Sequence, residues 1–255
     1  MIVRAAVAAL AFAGAHAATA SAQHDVQPER PTVATHAGTV APGWLEIETG
    51  AERDRAAGET SFLTPTLFKF GVGSHVQAGI AGSFVRTPEP NTGLGDVTAE
   101  VKWRVLDDAP VVGDLALLPA VKLPAGSAAR GTGTGTTDAS LLLISSHEFG
   151  GVSMDLNAGY TRRSGKGDRA PTSATLWTAS FGGPLDGSFG WVAEVYGYPA
   201  TKGPAGQASI VALLAGPTLL AHKWLALDAG VITPLAGAQP HALYAGAVWN
   251  VGRVW

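Results

Sequence analysis

The chain contains no cysteine. That excludes disulfides, and with them every thiolate metal site. Beyond its first two dozen residues it also lacks an uninterrupted apolar run of the ~18 residues that a membrane-crossing helix needs. The nearest, "SIVALLAGPTLLA", is broken by Gly216 and Pro217. Charge is scarce, at 15% of residues with a net value of -3, which offers no basis for nucleic-acid binding. The Glu, Lys and Leu on helical spacing that a soluble helical enzyme carries are missing as well. Glycine is abundant, with 33 residues, alongside Thr, Val and Ala. That mixture suits twisted sheet and tight turns.

The N-terminus reads as a targeting segment. Arg4 precedes the apolar "AAVAALAFAGA", and Ala20-Ser21-Ala22 fits the small-x-small cleavage pattern. A signal peptide over residues 1–22 is expected, leaving about 233 residues after cleavage. Residues 23–41 are polar, with Pro28, Pro31 and His36, and predict a loose periplasmic lead-in. No composition shift divides the remainder, so residues 42–255 form one domain.

That domain is a string of alternating segments. In Asp96 to Val105, Asp96, Thr98, Glu100, Lys102 and Arg104 take one parity, and Val97, Ala99, Val101, Trp103 and Val105 the other. Successive side chains of a strand point to opposite faces. The same pattern recurs in Trp44 to Glu52, Val152 to Arg163, Phe189 to Tyr198 and Leu225 to Thr233, with weaker versions between them. About twelve strands result, an even number as single-chain bacterial barrels require. Connectors alternate too. Those such as "RDRAAGE", "RTPEPNTGLG" and "PAGSAARGTGTG" are long, while "GVGS", "FGG" and "AHK" are short. "DDAPVVG" is long for its place. Long loops outside and short turns in the periplasm are the arrangement of an outer-membrane barrel. The chain closes on an alternating run that ends in Trp255.

An all-β, transmembrane, antiparallel up-and-down barrel is therefore expected. Trp103, Phe181, Trp191 and Trp255 share the apolar parity near the proposed periplasmic turns, where a membrane girdle belongs. Trp44 and Trp224 have the polar parity. Glu46, Glu48, Glu100, Lys102, Arg104, Asp114, Lys122, Asp155, Glu194 and Asp228 also have the polar parity. Unpaired charge in hydrocarbon costs roughly 2–4 kcal/mol at mid-depth, so these are assigned to the lumen as a solute path. A thin polar passage, partly filled by ion pairs, is expected between them.

Four blocks, "AGTVAPGWLEIETG", "GLGDVTAEVKWRVL", "LALLPAVKLPAGS" and "GTGTGTTDASLLLISSHEFGGVSMDLNAGY", resemble successive blocks of the outer-membrane transporter family labelled as phenol-degradation meta-pathway proteins. The resemblance runs from about Arg30 to Trp255. Its most specific pieces are Gly93–Asp96 and the Gly-Thr-Gly…Asp of Gly133 to Asp138. It implies an exported barrel that moves small hydrophobic or aromatic solutes. The chain departs from the family in "TVATHAG", which stands where an acidic stretch is expected.

Other chemistry is weakly signalled. "GTGTGTT" has no following Lys and opens no helix, so it is not a phosphate cradle. Ser145 and His147 share a strand face, but residues two apart lie roughly 6.5–7 Å apart along a strand, too far for direct contact. A lipid-modifying enzyme is thus the least favoured reading, and no catalytic residue, cofactor or metal is assigned. His24, His36, His75, His147, His222 and His241 lack metal-ligand spacing and read as surface or rim residues. External loops carry Arg53, Arg55, Arg86, Arg130, Arg162, Arg163, Lys166, Arg169 and Lys202, against Asp54, Glu59, Glu89 and Asp168. These suit contact with lipopolysaccharide phosphates. The expected partners are outer-membrane lipids and lipopolysaccharide, the barrel-insertion machinery and a small-molecule solute, with no nucleic acid. The expected function is a passive channel or transporter, with a non-conducting structural or adhesive barrel as the alternative.

Overall fold

The computed structural model describes residues 25–89 and 91–255; the expected signal peptide and His24 lie outside them. Thirteen strands follow in order: β1 (Trp44–Ala56), β2 (Glu59–Gly73), β3 (Val76–Arg86), β4 (Thr92–Leu94), β5 (Val97–Ala109), β6 (Gly113–Leu123), β7 (Asp138–Phe149), β8 (Val152–Arg163), β9 (Ser173–Asp186), β10 (Phe189–Tyr198), β11 (Ile210–His222), β12 (Leu225–Ala236) and β13 (His241–Arg253). Neighbouring strands pair antiparallel, except that β4 and β5 do not pair with each other. β3 pairs with β5 through Val76–Ala81 and with β4 through Phe84–Arg86. β4 and β5 are therefore one stave, interrupted at Gly95 and Asp96, and the wall has twelve staves.

β1 joins β13 from Trp44↔Arg253 to Arg55↔His241, closing the sheet. Closure pairs the two edges that an open sheet would leave, which is what lipid demands of a spanning sheet. Among the described residues there is no α-helix, only a 3-10 turn at Ala128–Arg130. No described helix is long and apolar enough to cross a membrane.

The outer parity is apolar and uncovered. Ile80 is 51% exposed and Leu243 is 57% exposed. A water-soluble sandwich would bury such residues against a second sheet. The buried clusters instead lie inside the wall. Val192, Tyr196, Leu214, Ile232 and Tyr244 gather around Val33; Ala226 and Val248 around Val26; Ala116 and Ile144 around Ala37. Each cluster is completed by a residue that precedes β1.

The connectors sort by length more sharply than the sequence suggests. At one end they span residues 74–75, 110–112, 150–151, 187–188 and 223–224. "DDAPVVG" shortens because β5 continues to Ala109. At the other end most are longer, including 124–137 and 199–209. "RDRAAGE" is the exception, because β1 and β2 run on to a two-residue turn. There Ala57 and Gly58 have φ of 50° and 87°, the positive pair that a tight type I′ hairpin requires.

Residues 25–43 are not a loose lead-in. They run inside the barrel as an irregular plug. Val26 N–H donates to the Lys223 carbonyl at the short-turn end (2.7 Å), and Gly43 N–H donates to the Gly71 carbonyl (2.8 Å). A polar segment without periodicity stays solvated unless something supplies partners for its backbone. Here the wall supplies them.

Candidate functional site: the occupied lumen

The plug forms no sheet with the wall, so its amide groups need other acceptors, since a buried N–H left unpaired is costly. Inward-facing side chains meet that need in sequence. Gln27 N–H donates to Glu46 Oε2 (2.8 Å), and Glu29 and Arg30 N–H donate to the two oxygens of Glu48 (2.8 and 3.1 Å). Val33 and Ala34 N–H donate to the two oxygens of Glu194 (2.8 and 2.6 Å). Thr35 exchanges N–H and C=O with the Asn157 amide (2.8 and 3.0 Å). Ala37 N–H reaches Ser146 Oγ (2.8 Å), which donates to Asp155 (2.6 Å). Val40 N–H reaches Gln77 Oε1 (3.0 Å).

Charge fixes the plug at three points. The Arg30 guanidinium donates from Nε and Nη2 to the two oxygens of Asp228, both at 3.1 Å. This is the bidentate fork that favours arginine over lysine. The guanidinium lies on Gly50 and Gly246, where a Cβ would come within 2.4 and 2.3 Å of it. Lys69 lies against Glu46 at 2.6 Å and against Glu48, and donates to the Gln27 carbonyl (2.5 Å). Lys102 is wrapped by the plug. Its Nζ donates to Glu29 Oε1 (2.7 Å), Thr35 Oγ1 (3.0 Å), His36 O (2.8 Å) and Gly38 O (3.2 Å). Lys69 and Lys102 are fully buried, a placement tolerable for an ammonium only with such pairing.

The plug's own ionisable groups respond. Burial alone would raise the Glu29 carboxyl, but Lys102 and Lys69 overcome it and hold the group well below its usual range. His36 is pushed down to about 3, first by burial and then by Lys102, so its imidazole is neutral. It lies inside the barrel, not on a rim.

The plug leaves cavities toward both ends of the barrel. One of about 910 Å³ lies toward the short turns, with Arg104, Asp114, Asp155, Thr218 and Asp228 in its wall. The other, of about 520 Å³ and called the outer cavity, lies toward the long loops, with Glu52, Glu100, Leu118, Leu214, Tyr196 and Tyr244 in its wall. Arg30, Pro31 and Thr32 border both.

The ten ionisable residues assigned to the lumen divide by what they do. Glu46, Glu48, Lys102, Glu194 and Asp228 hold the plug directly, and Asp155 holds it through Ser146. Arg104 lies near the short-turn rim, with Asp107 at 2.8 Å and Asp114 at 3.8 Å. Lys122 lies at the long-loop rim with Asp96 (2.6 Å) and Asp138 (3.4 Å). Glu100 has no such partner and faces the outer cavity. Sequence reasoning missed Glu29, Arg30, Lys69, Gln77 and Asn157. Lys69 was signalled by its place between Phe68 and Phe70. On the outer parity, Trp103 and Trp255 are 53% and 60% exposed and Phe181 41%, while Trp191 is half-buried. Trp224, at 47%, lies in a short turn.

Ser145 Oγ lies 3.1 Å from His147 Nε2, so the two side chains meet, against the expectation from their spacing. They share the outer parity with Phe149, on which His147 stacks. Ser145 donates its proton to the Val112 carbonyl (2.7 Å), and among the described residues no carboxylate hydrogen-bonds to His147. A nucleophile needs its proton directed at a base and that base oriented by a third group; neither condition is met.

A family model described as "Putative MetA-pathway of phenol degradation" matches residues 29–239. The chain belongs to that family. The match takes in most of the plug as well as the wall. Among solved structures, the COG4313 outer membrane channel from Pseudomonas putida F1 is similar at a TM-score of 0.62 and 11% identity, over 84% of this chain and 97% of that one. The NanC porin aligns at a TM-score of 0.56 and 12% identity, over 81% and 98%. The KdgM porin aligns at 0.52 and 10%, over 81% and 99%. At these identities the likeness is one of fold, that of a twelve-stave outer-membrane barrel. Among curated proteins, none matches by sequence.

Proposed function

We propose that this phenol-degradation family member is a passive outer-membrane channel for small solutes, hydrophobic or aromatic ones among them, held closed by its own N-terminal plug. One observation carries this reading: the plug lies between two cavities that sit toward opposite ends of a closed wall, with Arg30, Pro31 and Thr32 bordering both. A purely structural barrel has no need of either cavity. The family description points to phenol catabolism. A KdgM porin of the same fold has been solved in complex with disordered oligogalacturonate, so this architecture accommodates solutes. Export by a cleaved signal peptide over residues 1–22, a girdle of Trp103, Phe181, Trp191 and Trp255, and contacts with lipopolysaccharide and the barrel-insertion machinery belong to the same reading. The number of plug-to-wall bonds favours a second reading, a permanently closed structural barrel.

Planar-bilayer recording of the mature protein beside a variant lacking residues 25–41 separates the two. The channel reading expects brief, small openings from the mature chain and a conductance about tenfold higher or more from the variant, as an interior between an eight-strand and a 16-strand barrel is cleared. Silence from both proteins at every voltage, with folding verified by heat-modifiable migration, leaves only the structural reading.

A further inference from the structure

The interior of the barrel has too few cations for its carboxylates. Lys69 is engaged by Glu46 and Glu48, Lys102 by Glu29, and Arg30 by Asp228. Glu52 and Glu100, on the wall of the outer cavity, have no cation within salt-bridge distance among the described residues; Arg30 acts on Glu52, and Lys102 and Lys69 on Glu100, only from farther away. Asp54 follows Glu52 on the same face; it accepts a hydrogen bond from the Ser61 hydroxyl (3.3 Å) and shares one with the Glu52 carboxyl, so the pair carries no cation of its own. A carboxylate inside a low-dielectric wall is stabilised by any cation that can reach it.

The rest of that cavity wall is not built for a bare metal ion. Leu118, Leu142, Leu214 and Ile232 contribute aliphatic surface. Tyr196, Tyr198 and Tyr244 contribute rings, the first two edge to face with centroids 6.2 Å apart. Tyr244 is 6% exposed, and its hydroxyl has no hydrogen-bond partner among the described residues. Aromatic faces attract ammonium groups, and more strongly where water is excluded. Unpaired carboxylates, aromatic faces and aliphatic wall in one cavity match a ligand with a cationic head and an apolar body.

We infer that the outer cavity is a binding site for an organic monocation of this kind, an aralkyl or alkyl amine. The inference deepens the channel reading and rests on it, since it names a class of solute that the lumen would select. A neutral aromatic would satisfy the leucines and tyrosines but bring no cation into contact with Glu52 or Glu100. An aromatic carboxylate would add a like charge to them.

The test is calorimetric titration of the full mature protein in detergent with three isosteric probes: 2-phenylethylamine, 2-phenylethanol and phenylacetate. At pH 8 the amine should bind about tenfold more tightly than the alcohol, and phenylacetate most weakly, as for a partly desolvated ion pair aided by aromatic rings. Glu100→Gln and Glu52→Gln should each weaken the amine several-fold and leave the alcohol unchanged. Equal binding of amine and alcohol, or a preference for phenylacetate, overturns the assignment, and this comparison needs only the unmodified protein. Bilayer recording is scored separately. Conduction without an amine preference removes this inference and leaves the channel standing. An amine preference in a protein that never conducts keeps the site and removes the channel.

Discussion

The wall and the plug solve the same problem in opposite ways. In the wall, backbone donors and acceptors pair with neighbouring strands, so side chains are free to divide into an apolar outside and a polar inside. In the plug there is no ladder. Its backbone donors pair with side chains of the wall, mainly carboxylates and amides at Glu46, Glu48, Glu194, Asn157 and Gln77. The wall's stability is therefore spread over many equivalent bonds and is indifferent to most single substitutions. The plug's docking is concentrated in a few charged groups, and removing one of them should separate the two regions.

Lys102→Met is the sharpest single cut. Its ammonium serves four plug oxygens at once, and its loss leaves Glu29 with Lys69 at 3.7 Å as the nearest remaining cation. Removing one partner of a buried ion pair typically costs about 3–5 kcal/mol. The expected outcome is a large rise in open probability in bilayers, with heat-modifiable migration unchanged because the wall does not depend on this residue. A Lys102→Met barrel that fails to fold, or that stays as closed as the parent, shows that wall and plug form one cooperative unit.

Acid should loosen the plug by a smaller amount. His36 has an ordinary value of 6.5 and sits at about 3 when docked. Glu29 is likewise lowered from 4.5. Both docked groups are depressed, so the released plug binds more protons than the docked one at intermediate pH. Docking is then complete above about pH 6.5 and weakens as pH falls. His36 contributes from 6.5 downward and Glu29 from 4.5 downward. Lys102, Lys69 and the Gln27 backbone are the groups acting on His36 besides Glu29. Conductance should climb between pH 7 and pH 4, and His36→Gln should erase the part of the rise that lies above pH 4.5. A flat profile, or a rise toward alkaline pH, contradicts this account.

Much of the wall was legible because the strand period is two residues and one face meets lipid. The ten ionisable positions placed on the polar parity follow from that period alone. Strand ends were less legible. The arginines of "RDRAAGE" read as loop, yet at the membrane surface charged residues sit comfortably in a strand that outruns the bilayer, and β1 reaches Ala56. The plug was not legible at all, since a short polar segment with three prolines has the same composition whether water or a barrel surrounds it. Its traces lie in the wall. Gly50, Gly71 and Gly246 face inward where the plug presses closest, and a Cβ on Gly71 would meet the Ala41 carbonyl oxygen at 2.0 Å. Glu194 and Asp228 sit on strands with no cation of their own facing them. Inward glycines beside uncompensated carboxylates are what a chain threaded through a lumen leaves in the sequence.

The long-loop rim repeats the plug's strategy on a smaller and wetter scale. Lys122 bridges Asp96 (2.6 Å) and Asp138 (3.4 Å) and donates to the Thr136 carbonyl (3.1 Å) and the Thr134 hydroxyl. Burial would raise Asp96, but hydrogen bonds from Lys122, Thr134 and the Gly126 amide hold it below its ordinary value. This knot explains why the Gly-Leu-Gly-Asp and Gly-Thr-Gly…Asp pieces sit far apart in sequence yet belong together: one supplies Asp96 and the other closes the 124–137 loop over it. Lys122 is 18% exposed at its side chain, so water softens the loss, and Lys122→Met should cost only about 1 kcal/mol. Trypsin cleavage after Arg130 should become a few-fold faster while conductance stays at the parent's value. Faster cleavage together with a conductance change would mean that the loop and the plug are coupled through the outer cavity, and the division between a wall-held rim and a charge-held plug would no longer stand.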